Sequence, residues 1–227
     1  MGRASRADAA RHREEVVAAA ARLFRERGLS GVSVPDVMAE AGLTHGGFYR
    51  HFDSKDALAA AACEAAFAQQ TIDRADDLAR YGGDRAAARA DLIARYFSPE
   101  HRDDPGGGCP NAGLVSDAAR SPSDSPLRAA FTEGVRTSVQ RPGAPTHGSD
   151  TSGPDTHGPD THGPDTHGPD THGPDTPEPD ATSRADALAD LATMVGAVML
   201  ARATAGDPLS EEILAAAHTR LTPKSDC

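Results

Sequence analysis

From Ala9 to Arg27 the apolar residues return at three- and four-residue spacing. Val16, Val17, Ala20, Leu23 and Phe24 fall on one side of a helix, with Arg and Glu on the other. Gly28 follows, a residue that tolerates the positive φ at which helices commonly stop. Ser33-Val34-Pro35-Asp36 then reads as a helix start: Ser33 caps, Pro35 sits in the first turn, and Asp36 completes a capping box. Gly42 comes soon after Val37, Met38 and Ala41, so this second helix is short. Leu43 points inward, and Thr44 is expected to cap a third helix running to about Phe52. Asp53-Ser54-Lys55 begins a long fourth helix through Leu58, Cys63, Phe67 and Ile72.

The pattern stays helical further on. Leu92, Ile93, Tyr96 and Phe97 mark a helix over 84–98, and Pro105 to Gly108 form a loop. Helices are expected from about Pro110 to Arg120 and from Pro126 to Gln140, the latter with Leu127, Ala130, Phe131 and Val135 on one side. Then the periodicity stops. From His147 to Thr176 the chain is HGSDT, SGPDT and four copies of HGPDT, followed by the degenerate PEPDA. Gly in every unit and Pro in all but the first discourage a packed core, so a disordered insert is expected over 142–182. Helical sequence resumes from Arg184 to Arg202. A last helix starts near Ser210, with Glu211 and Glu212 in its first turn, where the macrodipole favours acids.

Charge sharpens this division. The formal net charge of −11 is unsuited to a partner made of phosphate. Residues 147–181, however, carry eight acids and no Lys or Arg, which accounts for most of it. Residues 1–57 hold nine Lys/Arg against eight Asp/Glu and are the one segment with a positive balance. Cys63, Cys109 and Cys227 are odd in number and lack metal-type spacing, so neither a disulfide framework nor a zinc site is indicated. The apolar run Leu191 to Ala201 is about half of the ~20 residues a membrane helix needs. No signal-peptide core follows Arg3 and Arg6, because Asp8, Arg11 and Arg13 interrupt it. A soluble cytoplasmic protein without cofactor, metal or membrane partner is the expectation. No nucleophile–base pair, phosphate loop or metal spacing outside the repeat points to an enzyme.

A helix of about eight residues, a Gly-containing turn and a second short helix can seat a recognition helix in a major groove. Val37, Met38, Leu43, Phe48 and Phe52 would form the small core that sets the angle between the two helices. Thr44, His45, Gly47, Tyr49 and Arg50 are then left facing out, toward phosphates and base edges. Lys55 and Ser33 can donate to phosphates at their helix starts. The run GVSVPDVMAEAGLTHGGFYRHFDSKDAL, Gly31 to Leu58, closely resembles the DNA-binding segment of TetR-type repressors. Ser33, Ala41-Gly42-Leu43-Thr44, Phe48-Tyr49-Arg50-His51-Phe52 and Lys55 carry the resemblance. It is firm over roughly residues 10–70 and looser over 71–140 and 184–222.

The resemblance implies an all-α protein. A flexible basic arm (1–9) would precede an N-terminal three-helix helix-turn-helix domain over 10–70, with its motif at 33–52. A C-terminal helical ligand-binding and dimerisation domain would follow over 71–222, interrupted by the insert. The implied DNA contacts are Ser33, Thr44, His45, Gly46, Gly47, Tyr49, Arg50, His51 and Lys55. One departure is the Gly46-Gly47 pair, each Gly costing about 1 kcal/mol of helix propensity. Base reading is therefore expected from His45, Tyr49 and Arg50, on a helix that firms up on binding. Implied partners are a near-palindromic DNA duplex, an unidentified small molecule and a second copy of the chain. Pocket candidates are Phe67, Tyr96, Asn111, Leu114, Asp117 and Phe131. Leu188, Leu191, Val195, Val198, Met199, Ile213, Leu214, Ala217 and Leu221 are expected at the dimer interface.

Several features carry two readings. Arg3, Arg6, Arg11 and Arg13 suit a minor-groove arm or a solvated tail. Tyr49 suits DNA contact or a core. The five histidines of the repeat, interleaved with aspartates, suit spacer sequence or the collection of a divalent metal, whether for sensing or as a buffer. Cys109, in GGGCPN at a helix mouth, suits a thiol sensor or a buried structural cysteine.

Overall fold

The computed structural model of the chain describes residues 6–140 and 181–222. Every element among them is helical: α1 (Arg6–Arg27), α2 (Val34–Glu40), a 3-10 helix (His45–Arg50), α3 (Lys55–Arg80), α4 (Arg85–Tyr96), α5 (Pro99–Asp103), α6 (Pro110–Arg120), α7 (Pro126–Val139), α8 (Ala181–Ala203) and α9 (Leu209–Leu221). The expected all-α architecture is observed. The expected insert lies outside the described residues but for its last two positions, 181 and 182, which open α8.

Three expectations need correction. Residues 6–9 are the first turn of α1, so only 1–5 of the expected basic arm lie outside the described residues. Arg13 sits in α1 with its guanidinium 4.9 Å from the centre of the Phe52 ring, a cation–π contact and not a free arm. The third helix is a 3-10 segment six residues long, and Thr44 gives it no side-chain cap. Adjacent Gly46 and Gly47 explain this, since two low-propensity residues in one turn cannot sustain α-helical geometry alone.

Two apolar cores hold these helices. The first gathers Val16, Ala20, Leu23 and Phe24 of α1, Val37 and Met38 of α2, and Phe48 and Phe52. Leu58, Cys63 and Phe67 of α3 join it, with Leu114 of α6 and Leu127 of α7. The second joins Ile93, Tyr96 and Phe97 to Cys109, Ala112, Val198, Ala201, Leu214, Ala217 and Leu221. Arginines brace its rim. Arg202 donates to the carbonyls of Arg102 (2.9 Å) and His101 (3.0 Å) at the end of α5, and Arg102 reaches Ser210 Oγ (2.9 Å) and Glu211 (2.7 Å). Arg89 of α4 donates to the Leu221 carbonyl (3.2 Å) and pairs with Asp190. α8 and α9 are thereby tied to α4 and α5 by charge-assisted bonds as well as by apolar contact.

Candidate nucleic-acid interface and ligand cavity

The helix-turn-helix is built from two local devices. At the start of α2, Ser33 Oγ accepts from the Asp36 amide (3.3 Å) and donates to Asp36 Oδ2 (2.6 Å), which also takes the Ser33 amide (2.7 Å). This is the expected capping box, and it holds the Asp36 carboxyl below its ordinary range. At the end of α2, Gly42 adopts φ +69°, its amide reaching Ala39 O (3.0 Å) and the Leu43 amide Met38 O (2.8 Å). That is a Schellman turn, and it drives Leu43 back onto the core. The 3-10 segment then hangs on Phe48, which is fully buried and stacks on Phe52 at 5.8 Å.

The segment presents Tyr49, 71% exposed and edge-on to Phe48, together with exposed Thr44, Gly46 and Arg50. Tyr49 is thus no core residue. Gly47 and His51 are half-buried beside them, and His45 opens the segment. Lys55 behaves differently from its expected role: its ammonium donates to the Leu29 carbonyl, tying α3 to the turn after α1. Ser33 is likewise engaged by Asp36. The Ser33–Asp36 box is expected from the sequence, whereas the Lys55–Leu29 bond was missed, because a backbone carbonyl leaves no mark in the sequence as a competitor for a phosphate.

Residues 16–62 match the family model described as bacterial regulatory proteins, tetR family. The chain carries a TetR-family DNA-binding domain. Across it the chain is 36% identical over 52 residues to the HTH-type transcriptional regulator YerO of Bacillus subtilis (strain 168). It is also 46% identical over 46 residues to the HTH-type transcriptional repressor KstR2 of Rhodococcus jostii (strain RHA1). These stretches are 23% and 20% of this chain, and only 18% and 22% of the two relatives. The full TetR-family architecture is matched by a solved TetR transcriptional regulator from Chloroflexus aurantiacus J-10-FL. The TM-score is 0.62 at 25% identity, covering 95% of this chain and 94% of that one.

Beneath this TetR-family domain lies a cavity of about 640 Å³ between the end of α1, α3, α4 and the loop before α6. Its wall includes Arg25, Ala66, Gln70, Arg74, Leu92, Tyr96, His101, Gly108, Cys109 and Pro110. A second cavity of about 500 Å³, between α4, α7 and α8, shares Arg74, Asp77 and Leu92 with the first. Of the expected pocket residues Tyr96 alone lines either cavity. Phe67, Leu114 and Phe131 belong to the first core, where Phe67 meets Phe131 edge-on at 5.8 Å. Asp117 faces Gly28, and Asn111 is buried behind the wall with Nδ2 on Ser138 Oγ (3.1 Å). The resemblance places a pocket among these helices, but an apolar side chain such as Phe67, Leu114 or Phe131 suits a core as readily as a pocket.

Cys109 is 6% exposed, so its flanking glycines do not open it to solvent. It nevertheless lines the larger cavity and caps α6, with Gln70 Nε2 at 3.3 Å and Asn111 Nδ2 at 3.6 Å from the sulfur. Cys63 is in the first core, and burial pushes its thiol up to about 12. At the expected dimer face, Val198, Leu214, Ala217 and Leu221 are buried within the chain, in the second core. Met199, Val195 and Ile213 are partly buried against it, Leu191 is half-buried, and Leu188 is exposed. Among the exposed positions of α8, Leu188, Ala192 and Leu200 share one side, a fourfold spacing that includes the half-buried Gly196.

No helix among the described residues is long and apolar enough to cross a membrane. No group of three or more His, Cys, Asp or Glu among them is placed to hold a metal ion. The histidines of the repeat lie outside the described residues.

Proposed function

We propose that the chain is a sequence-specific repressor of transcription that binds a near-palindromic duplex as a homodimer and is released by a small molecule. The observation that carries it is the exposed surface of Thr44, Gly46, Tyr49 and Arg50, seated on fully buried Phe48 and held by the capping box and Schellman turn. His45, Tyr49 and Arg50 read base edges or phosphates, and Thr44, Gly46, Gly47 and His51 supply close contacts. Lys55 and Ser33 contact phosphate only by exchanging their internal partners. The 3-10 segment converts toward α-helix against DNA. Dimerisation uses the Leu188, Ala192, Gly196 and Leu200 stripe of α8 with Leu209 of α9, around a two-fold axis.

Selection from a random duplex library tests this reading. A near-palindrome with a steep salt dependence is expected, and Arg50→Ala should lose about 1–3 kcal/mol of discrimination at one base of each half-site. No salt-sensitive affinity for any duplex would end the proposal.

A second reading, a thiol-responsive regulator, is favoured by the two amide donors aimed at the Cys109 sulfur within a cavity wall. It requires a mass shift on Cys109 that accompanies loss of duplex binding.

A further inference from the structure

We propose that the 640 Å³ cavity takes a small monocarboxylic acid, and that Arg25, carried by the DNA-binding domain itself, is the group that engages it. The ligand half of this stands alone; its regulatory half rests on the repressor reading. Arg25 leaves the last turn of α1 and reaches the wall, where its only hydrogen bond among the described residues is a long one, Nη1 to the Gly108 carbonyl at 3.3 Å. Its Nε is buried without a partner. No carboxylate among the described residues forms an ion pair with it; Asp104 and Asp73 act only from further off. Tyr96, also in the wall, has its hydroxyl buried without a hydrogen-bond partner among the described residues, on a side chain 7% exposed. The Cys109 side chain is its polar neighbour. Arg74, with Nη1 on the Ser138 carbonyl (3.0 Å), adds a second guanidinium that forms no ion pair with a carboxylate among the described residues.

Four acids also line the cavity, and three of them have hydrogen-bonded partners: Asp77 is held by Arg80 and Arg95, Asp73 by Gln69 (2.8 Å) and Asp104 by the Gly107 amide (2.9 Å). The fourth, Glu100, lies in the first turn of α5. These carboxylates disfavour added negative charge, so one charge met directly by Arg25 fits the wall better than the two of a phosphate monoester. A monoanionic carboxylate matches what is left: a fork of N–H donors, a phenol O–H, and an apolar wall of Ala66, Leu92 and Pro110. A buried guanidinium without a counter-charge is costly, so this partner would be bound with a gain the wall alone cannot supply.

Arg25 also explains how occupancy would be felt at the DNA. Its stem lies flat on Gly113 of α6, where a Cβ would stand 2.8 Å from Arg25 Cγ. A ligand that draws the guanidinium away from Gly108 would pull on a stem packed against α6, at the end of α1. That end leads through Gly28 and Leu29, the carbonyl that Lys55 holds, into α2. An acid that prefers the shifted arrangement lowers duplex affinity by population shift.

The test uses the full chain, titrated calorimetrically with aliphatic and aromatic monocarboxylic acids sized to the cavity, each beside its primary amide. We expect acids to bind about tenfold or more tightly than their amides, Arg25→Gln to lose about that factor, and Tyr96→Phe to lose less. Bound acid should weaken binding to the selected duplex in the parent chain and not in Arg25→Gln. Tyr96→Phe keeps the measurement possible should Arg25→Gln fail to fold. Amides binding as well as acids, no acid binding, or Tyr96→Phe and Arg25→Gln both binding like the parent would each overturn the site. If the chain binds no duplex, the repressor reading and the coupling fall together, whereas acid binding that tracks Arg25 still upholds the ligand site.

Discussion

The core under the DNA-binding helices is filled mainly by large apolar side chains, whereas the core between α4, α6, α8 and α9 is built on smaller ones and braced by arginines that reach carbonyls and carboxylates. Leu23, Phe24, Met38, Phe48 and Leu58 leave almost no exposed surface in the first, and its polar groups are confined to caps and turns. In the second, Tyr96, Asn111 and Ser210 are buried among the apolar groups, and Arg89, Arg102 and Arg202 bridge helices that small residues such as Ala197, Ala201 and Ala217 cannot fill. The difference suits two tasks. A surface that must meet a fixed groove needs a tightly packed support, and a cavity that must respond needs polar groups with alternative partners.

The sharpest way to break the comparison is Phe48→Ala. It removes the fully buried ring that carries the Thr44–Arg50 surface, at about 3–5 kcal/mol, and chemical denaturation should show the loss together with loss of duplex binding. Glycine to alanine gives a finer pair. At Gly134 a Cβ would run into the Phe67 ring, so Gly134→Ala should cost about 1–3 kcal/mol by overpacking. At Gly46 the same Cβ meets nothing, and Gly46→Ala should stabilise by up to about 1 kcal/mol. Equal effects at both positions, read from urea midpoints, would mean the first core is looser than its burial suggests.

The same contrast decides what could be read in the sequence. The 3.6-residue spacing of Val16, Ala20, Leu23 and Phe24 and the Ser33–Asp36 box specify local structure through neighbours a few residues away, and they were legible. Local propensity also contained the correction at 45–50, since two adjacent glycines favour a tight turn over an α-helix. The cavity was not legible. Arg25, Gln70, Tyr96, Gly108 and Cys109 come from four separate stretches, and no periodicity in one stretch marks a residue that meets another across the fold. Leu214, Ala217 and Leu221 form one helix face, but a face does not say whether its partner is α4 of the same chain or another copy.

Tyr96→Phe sharpens the second side. Deleting a buried hydroxyl that has no partner should stabilise the chain by about 1 kcal/mol while lowering affinity for a carboxylate ligand. A thermal melt that moves down would mean the hydroxyl is already satisfied, and the cavity would then lose one of its two free donors.

The smallest effect expected is a pH dependence confined to the second region. His101 Nδ1 lies 2.7 Å from the Tyr96 carbonyl, and Nε2 is 3.2 Å from the Cys109 amide, so one nitrogen donates and the other accepts. Only the neutral ring can do both; a proton on Nε2 would face an N–H. Burial, aided by nearby Arg202 and opposed by the Tyr96 carbonyl, holds the folded imidazole below its ordinary 6.5. The unfolded chain therefore binds this proton more readily. The contribution of His101 to stability is complete above about pH 6.5 and declines as pH falls through the folded value. In His101→Asn that decline should disappear from the difference between the two stability curves, with the Cys109 loop loosened at every pH. Parallel curves below pH 6.5 would show that the ring accepts its second proton in place, and that the amide of Cys109 turns away to allow it.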